Sequence, residues 1–186
     1  MSPDGARVGY LADALSNDRV ELFSVPIDGS APALRLSGTL SSNRDVVDFQ
    51  IGPDGSGVVY RADTEADNRF ELYGVPIDGS APPPKLNPPL PPGTVIDHYR
   101  FASDGQTVGF LVPGADHPAE LFAAALDGSS GPVGLNGALV EGGGVGEFRF
   151  SPDGSRVLYL ADQDELGVFE LYASLITTRA RHRPER

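Results

Sequence analysis

Residues 150–157 have the sequence Phe-Ser-Pro-Asp-Gly-Ser-Arg-Val, and related stretches recur through the whole chain. The Asp-Gly pair of this stretch occurs four times, in steps of 50, 50 and 49 residues, at Asp4, Asp54, Asp104 and Asp153. A second marker, Glu-Leu-Phe or Glu-Leu-Tyr, follows the same spacing and begins at Glu21, Glu71, Glu120 and Glu170. Because two independent markers share one period, the sequence is built from four repeats of about fifty residues.

Each repeat has the pattern of short β-strands. In the second repeat, apolar side chains alternate with polar ones over 47–51, and β-branched and aromatic residues dominate 57–60 and 70–75. Clusters of Gly, Pro, Asp and Ser separate these runs, as is typical of turns between strands. With a short fourth run near Lys85, the pattern predicts four antiparallel strands in one repeat.

A repeat of this size buries little apolar surface alone, so the repeats are expected to pack on one another. Four-stranded units of about 40 to 50 residues typically stack radially as the blades of a β-propeller. The predicted fold class is therefore an all-β propeller with four consecutive blades, at about 1–43, 44–93, 94–143 and 144–176. The first blade lacks an inner strand and the last blade lacks an outer strand, so fourteen strands are predicted in total. The Arg-rich tail 177–186 is predicted to be disordered.

The stretch 150–157, followed by Tyr159, Ala161-Asp162 and Glu170-Leu171-Tyr172, resembles the WD-repeat-like propeller repeat of the bacterial TolB family. Similar blades occur in the propellers of prolyl oligopeptidases and dipeptidyl peptidases. The resemblance implies a propeller that serves in recognition, in the periplasm or outside the cell. The N-terminus has neither a basic segment nor an apolar one, so no secretory signal is predicted in this sequence.

The composition excludes several classes of partner. The 186 residues include 14 Lys and Arg against 26 Asp and Glu, which gives a net charge of −12. Such a field repels phosphate, so no nucleic acid partner is expected. No apolar run is long enough to span a bilayer, so no membrane insertion is expected, and the lack of cysteine excludes disulfides and thiol nucleophiles.

No catalytic residues are predicted. Nucleophilic catalysis needs a base beside the nucleophile, and the candidate bases are His98, His117 and His182. His98 falls at a polar position of a predicted inner strand, His117 in a loop and His182 in the Arg-rich tail. No Gly-x-Ser-x-Gly elbow is present, so the chain is not expected to be an enzyme.

The polar positions of the predicted inner strands form the first candidate site. In a propeller these positions lie nearest the central channel, whose mouth commonly binds ligands. We therefore predict a binding site for a protein or glycan ligand at Gln50, Arg100, Arg149, Asp48, His98 and Glu147. The alternative interpretation is that these groups satisfy one another around a water-filled tunnel.

Acidic loops between the second and third strands form the second candidate site. Carboxylates at close spacing can converge on calcium, which takes six to eight oxygen ligands. The candidate calcium ligands are Asp63, Glu65 and Asp67 in one loop and Asp162, Asp164 and Glu165 in another. The favoured interpretation is that these aspartates accept backbone hydrogen bonds and the remaining acids form a solvated rim, so no cofactor is required.

These observations favour a non-catalytic recognition scaffold in the bacterial envelope or outside the cell. One alternative is the substrate-gating propeller of a serine peptidase of the prolyl oligopeptidase type, and another is a structural repeat of a large surface protein. We also expect that the chain is part of a larger propeller. Self-association is expected through the outward faces of the first and last blades, which would otherwise expose Val, Leu, Tyr and Phe to water.

Overall fold

A computed structural model describes residues 1–15, 17–114 and 118–176 of the chain. Thirteen β-strands make up the regular structure, and none of the described residues is helical, so this part of the chain contains no helix that could cross a membrane. The Arg-rich tail 177–186, predicted to be disordered, lies outside the described residues, as does the loop residue His117.

The strands form four antiparallel sheets, one in each predicted blade. Blade 1 has the order β1-β2-β3, blade 2 β4-β5-β6, blade 3 β7-β8-β9-β10 and blade 4 β11-β12-β13. The strands are β1 (Arg7–Ala12), β2 (Glu21–Pro26), β3 (Leu34–Arg35), β4 (Val46–Ile51), β5 (Gly57–Ala62), β6 (Glu71–Pro76), β7 (Tyr99–Phe101), β8 (Thr107–Val112), β9 (Glu120–Ala125), β10 (Val133–Gly134), β11 (Val145–Phe150), β12 (Arg156–Ala161) and β13 (Glu170–Leu175).

The predicted fourth strand of blade 2 differs from the structure. The run near Lys85 makes only an isolated bridge, between Lys85 and Tyr73, so the described residues form thirteen strands and not fourteen. The prolines at 82–84 and 88–89 flank this run. Because proline has no backbone N–H to donate to a neighbouring strand, these residues limit the pairing to a single bridge.

The recurring Asp-Gly turn joins the first and second strands of blades 2 to 4, and in blade 1 it precedes β1. In blade 2, the Asp54 carboxylate accepts hydrogen bonds from the backbone N and the hydroxyl of Ser56, at 3.0 and 2.6 Å. Gly55 has φ of 74°, a conformation that a side chain would strain. The same positive φ occurs at the equivalent turn residues Gly5, Gly105 and Gly154, which explains why the Asp-Gly pair is the sharpest marker of the period.

Every blade carries an aromatic pair at the same register. Tyr10 lies opposite Phe23, and the equivalent pairs are Tyr60 with Tyr73, Phe110 with Phe122, and Tyr159 with Tyr172. Their ring centroids are 5.5 to 6.2 Å apart and the rings are nearly parallel. We call the side of each sheet that bears this pair its front face, and the opposite side its back face.

Consecutive blades pack back face to front face. Between blades 1 and 2, Leu22 of the first back face packs with Val58 and Tyr60 of the second front face. Leu72 meets Phe110 in the same way, and Leu121 meets Tyr159. The hydrophobic core of the described chain is therefore three separate clusters between neighbouring sheets, which is the packing that the stacked repeats predict.

Two glutamates of the Glu-Leu-Phe/Tyr marker are buried with their charges paired. Glu21 accepts a hydrogen bond from Arg35 at 3.0 Å, and Glu71 lies 3.3 Å from Lys85. Arg35 and Lys85 each lie at the outer edge of the blade that contains their glutamate. The first ion pair therefore holds β3 on its sheet, and the second holds the bridge at Lys85. A buried carboxylate that lost its partner would carry the cost of its desolvation.

We expect Arg35→Ala to lower the free energy of unfolding by about 1 to 3 kcal/mol, because the buried Glu21 carboxylate loses its hydrogen-bonding cation and keeps only the more distant Arg19, at 3.8 Å. Arg156→Ala is the matched control, since Arg156 is exposed on β12. Urea denaturation measures both variants. Adding Glu21→Gln to Arg35→Ala should recover part of the loss, and equal stability of the Arg35 and Arg156 variants would contradict the role of the pair.

Candidate ligand-binding site

The polar residues of β4 connect blade 2 to blade 3. Asp48 accepts hydrogen bonds from the Arg61 guanidinium, with Nε 3.0 Å from both carboxylate oxygens, and from the Tyr99 hydroxyl at 2.6 Å. Gln50 donates from Nε2 to the carbonyl oxygen of Tyr99 at 3.1 Å. Arg61 also donates to the carbonyl oxygen of Ile96 at 2.6 Å. Two of the six predicted binding residues therefore join neighbouring blades.

The electrostatics of this connection favour the charged pair. Burial alone raises the pKa of Asp48, but the hydrogen bonds from Arg61 and Tyr99 and the charge of Arg61 outweigh it, so the pKa lies below its usual value. Burial and the hydrogen bond to Asp48 raise the pKa of Tyr99. The Tyr99 hydroxyl therefore stays protonated, as a donor to the carboxylate must.

His98 lies outside the inner strand in which it was predicted. β7 begins one residue later, at Tyr99, and the His98 side chain is exposed. Its carbonyl oxygen accepts a hydrogen bond from the backbone N of Leu111 at 2.9 Å. The backbone of His98 therefore continues the pairing with β8, while its imidazole faces solvent.

Arg100 and Arg149 come together at one cavity. These residues occupy the same position in β7 and β11, and both line an open cavity of about 270 Å³ between blades 3 and 4. The lining is completed by Phe101, Ser103, Phe150, Ser151 and Pro152. Two guanidinium groups thus border one concave surface with two hydroxyl-bearing residues, in a chain whose net charge is −12.

The two arginines differ in what they already bind. Arg149 is exposed and donates to Glu147 at 2.8 Å, so part of its charge is neutralised. The Arg100 guanidinium lies over the ring of Phe148, 5.2 Å from its centroid. Its Nε is buried without a hydrogen-bond partner, and among the described residues Arg100 makes no ion pair. Arg100 is therefore the cation of this site that retains donor capacity.

Sequence reasoning missed the serines and apolar residues that line this cavity. The sequence places Ser103 and Ser151 in the recurring turn and Phe101 and Phe150 in inner strands, and predicts none of them as binding residues. Their position supplies a signal, because Ser151 directly follows the inner strand β11 and Ser103 lies two residues after the end of the inner strand β7. Residues that end an inner strand belong to its rim as well as to the turn that follows.

The two buried aspartates of the acidic loops are fully engaged by the protein. Asp63 accepts hydrogen bonds from the backbone N of Asp45 at 2.6 Å and of Asn68 at 3.0 Å. Asp162 does the same for Gly144 at 2.7 Å and Gly167 at 2.9 Å, bonds that lower its pKa. Each aspartate fastens the approach to an inner strand to the loop that follows the second strand.

Three of the four other predicted calcium ligands also contact protein groups. Glu65 binds Lys85 at 2.7 Å, which lowers the pKa of Glu65, while Asp67 lies 3.7 Å from Arg44 and Asp164 accepts from the Tyr172 hydroxyl at 3.0 Å. Glu165 is exposed. Over 1–15, 17–114 and 118–176, no three His, Asp or Glu side chains converge in a way that would hold a metal ion.

Solved structures share this arrangement of sheets. A TolB-type protein from Agrobacterium tumefaciens superposes with a TM-score of 0.54 at 17% identity, over 96% of this chain and 60% of its own. An oligogalacturonate lyase from Vibrio parahaemolyticus gives 0.52 at 17% identity, over 92% and 46%. A prolyl endopeptidase gives 0.58 at 11% identity, over 92% and 27%. The chain has the β-propeller fold.

The propeller likeness confirms the predicted fold class and its resemblance to TolB and prolyl oligopeptidase blades. The chain spans less than two thirds of the length of each of these three structures. No protein-family model matches it, and no curated protein matches its sequence. Because proteins described as TolB, a lyase and a peptidase share this fold, the likeness at such low identity shows the fold alone.

We expect stability to fall as the pH drops from about 5 towards 2. Hydrogen bonds from Ser151 and Ser155 lower the pKa of Asp153 from 3.8 to about 2, and the pKa of Asp48 is lowered as well. A carboxylate whose pKa is lower in the folded state stabilises the fold above its unfolded pKa, and that contribution disappears as pH falls through the folded pKa. Urea midpoints across this range should decrease, and Asp153→Asn should make the decrease shallower. A constant midpoint would contradict this.

We expect calcium to leave thermal stability at the value measured with magnesium. Asp63 and Asp162 already use their carboxylate oxygens for backbone N–H groups, so a cation would have to displace those bonds. A true site at a calcium concentration of about 100 times Kd would add about 2.7 kcal/mol. Melting curves with chelator, calcium and magnesium make the comparison. A rise in Tm with calcium alone would establish a calcium site in these loops.

Proposed function

We propose that the chain is a non-catalytic recognition scaffold, which binds an anionic group of a protein or glycan ligand between blades 3 and 4. The observation that supports this most directly is the cavity shared by Arg100 and Arg149. The predicted binding residues Asp48 and Gln50 are occupied in joining blades, and so the binding function falls to the two arginines of that set.

Comparison between repeats explains why Arg100 is available. Its equivalent in blade 2, Gln50, donates across to the next inner strand. Arg100 instead lies on the ring of Phe148, and its Nε has no partner. A guanidinium that rests on an aromatic ring keeps its charge in a partly dry environment, where a hydrogen-bonded carboxylate is held more strongly than in water.

The chemistry of the cavity favours a carboxylate. The negative field of the chain repels anions at a distance, so an acidic ligand must be held by direct contacts. A guanidinium presents paired N–H donors that match the two oxygens of a carboxylate. Acidic side chains of a protein and uronate residues of a glycan both offer this group, and the fold likeness to an oligogalacturonate lyase makes an acidic glycan the first ligand to test.

The proposed location is the bacterial envelope or the space outside the cell. The support for it is the fold likeness to a TolB-type protein, together with the TolB-like repeat in the sequence. Such a compartment contains both acidic glycans and protein partners.

The second candidate function is the propeller of a serine peptidase. This chain covers 27% of a prolyl endopeptidase structure with the same fold, and that partial likeness favours this candidate. In that case the arginines would guide acidic substrates to a hydrolase domain. A hydrolase segment with a Gly-x-Ser-x-Gly motif, encoded in the same reading frame as this chain, would decide for the peptidase.

We expect Arg100→Gln to weaken binding of an oligogalacturonate, or of an oligoglutamate peptide, by about tenfold, the effect of losing one charged hydrogen-bonding group. Isothermal titration calorimetry at low salt measures both probes. Arg149→Gln should have a smaller effect, because Glu147 already neutralises part of its charge.

Arg156→Gln is the control, because Arg156 is exposed but does not line the cavity. Its affinity for the probe should equal that of the native chain. Two results would overturn the proposal: binding of neither probe, or the same loss of affinity in the Arg156 and Arg100 variants. The preferred probe separates a glycan ligand from a protein ligand.

A further inference from the structure

The three interfaces between blades use the same leucine. Leu22, Leu72 and Leu121 follow the glutamate of the repeat marker, lie on the back faces of blades 1 to 3, and are each 0% exposed. Each packs in a cluster with the front face of the next blade. A leucine at this position is therefore a contact residue between sheets.

Blade 4 carries the same leucine with nothing packed on it. Leu171 is 67% exposed, and its neighbours on the back face, Leu158 and Leu160, are 36% and 39% exposed. These three leucines line a groove of about 460 Å³ whose inner end is formed by β11. An apolar face of this kind is unusual on a soluble monomer unless it binds a partner.

Blade 1 carries the matching front face. Val8, Tyr10 and Ala12 repeat the residues Val58, Tyr60 and Ala62 of blade 2, which are at most 1% exposed because blade 1 packs on them. In blade 1, all three are partly exposed. The Tyr10–Phe23 pair has the geometry of the buried Tyr60–Tyr73 pair, with centroids 5.5 Å apart in both. The chain thus presents both halves of its own internal interface, one at each end.

We propose that the front face of blade 1 in a second copy of this chain binds the back face of blade 4. Leu171 would then be covered by the Tyr10–Phe23 pair, as Leu22 is by Tyr60 and Tyr73. Two such contacts, related by a twofold axis, close a pair of chains into a ring of eight blades. Closure would cover both apolar faces at once.

The structure favours this occupant because the same interface already exists three times within one chain. Pairing two back faces would set Leu158, Leu160 and Leu171 against their own copies, without the aromatic pair that covers the leucine elsewhere. The contact is apolar, while each chain has a net charge of −12. Salt should therefore strengthen the association by screening the repulsion between copies.

The ligand cavity stays open in this arrangement. Blade 1 has no strand equivalent to β4, β7 or β11, so the incoming sheet leaves the β11 end of the groove uncovered. Glu147 and Arg149 lie at that end. The association is independent of the ligand proposed above, and each proposal can fail without the other.

Sedimentation velocity at increasing chain concentration tests the association. We expect the native chain to form pairs, and we expect Leu171→Glu or Tyr10→Glu to weaken the association about tenfold or more, as the loss of a central contact does. Val8→Glu is a second front-face variant. Val47→Glu is the control, because Val47 is exposed on β4, away from both terminal faces. Circular dichroism verifies that each variant is folded.

A mixture of the two variants separates head-to-tail pairing from other contacts. The Leu171 variant retains an intact front face and the Tyr10 variant an intact back face, so the mixture should form pairs that neither variant forms alone. A monomeric native chain would overturn the proposal. So would association that persists in the Leu171 variant, or variants that fail to complement each other in the mixture.

Discussion

The packing of a back-face leucine under the aromatic pair of the next front face is the contact on which the rest of this structure depends. Leu22, Leu72 and Leu121 make this contact. Among the described residues, the apolar clusters all lie between neighbouring blades. A single sheet of three or four short strands cannot exclude water from both of its faces. The stability of the described chain therefore resides between blades, and the position of the cavity between blades 3 and 4 follows from that stacking.

The acidic character of the chain has a structural origin as well as an electrostatic consequence. Asp54 and its equivalents bind turn N–H groups, Asp63 and Asp162 fasten loops, and Glu21 and Glu71 pair with basic residues at blade edges. Many carboxylates are thus needed by the fold itself. Against that background Arg100 stands out, because most basic side chains in the described part of the chain pair with an acid of their own blade, as Arg149 does with Glu147.

The sequence predicted the fold well because turn chemistry and core packing are both periodic. Asp-Gly turns and the Glu-Leu-Phe/Tyr marker repeat with the sheets, so the strands could be placed from one unit. The candidate site was only partly predictable, because its deciding residues depart from the period. Arg61 replaces a residue that is leucine at 11, 111 and 160, and together with Tyr99 it engages the Asp48 carboxylate. Asp48 belongs to the same repeat as Arg61, but the second acidic partner of Arg61, Asp97, lies 36 residues away in the next repeat, where a pattern within one repeat does not reveal it.

Divergence between repeats also explains why a site can form at one inter-blade position and not at another. A closely packed contact needs polar side chains whose hydrogen-bonding groups are satisfied, as those of Gln50, Asp48 and Arg61 are between blades 2 and 3. Between blades 3 and 4 the same register places Arg100 beside Arg149, which repel each other and cannot satisfy one another. Phe148 holds the Arg100 guanidinium in place without neutralising it. The repeat thus supplies the frame, and the arginine at position 100 leaves a positive charge that no acidic side chain among the described residues pairs with.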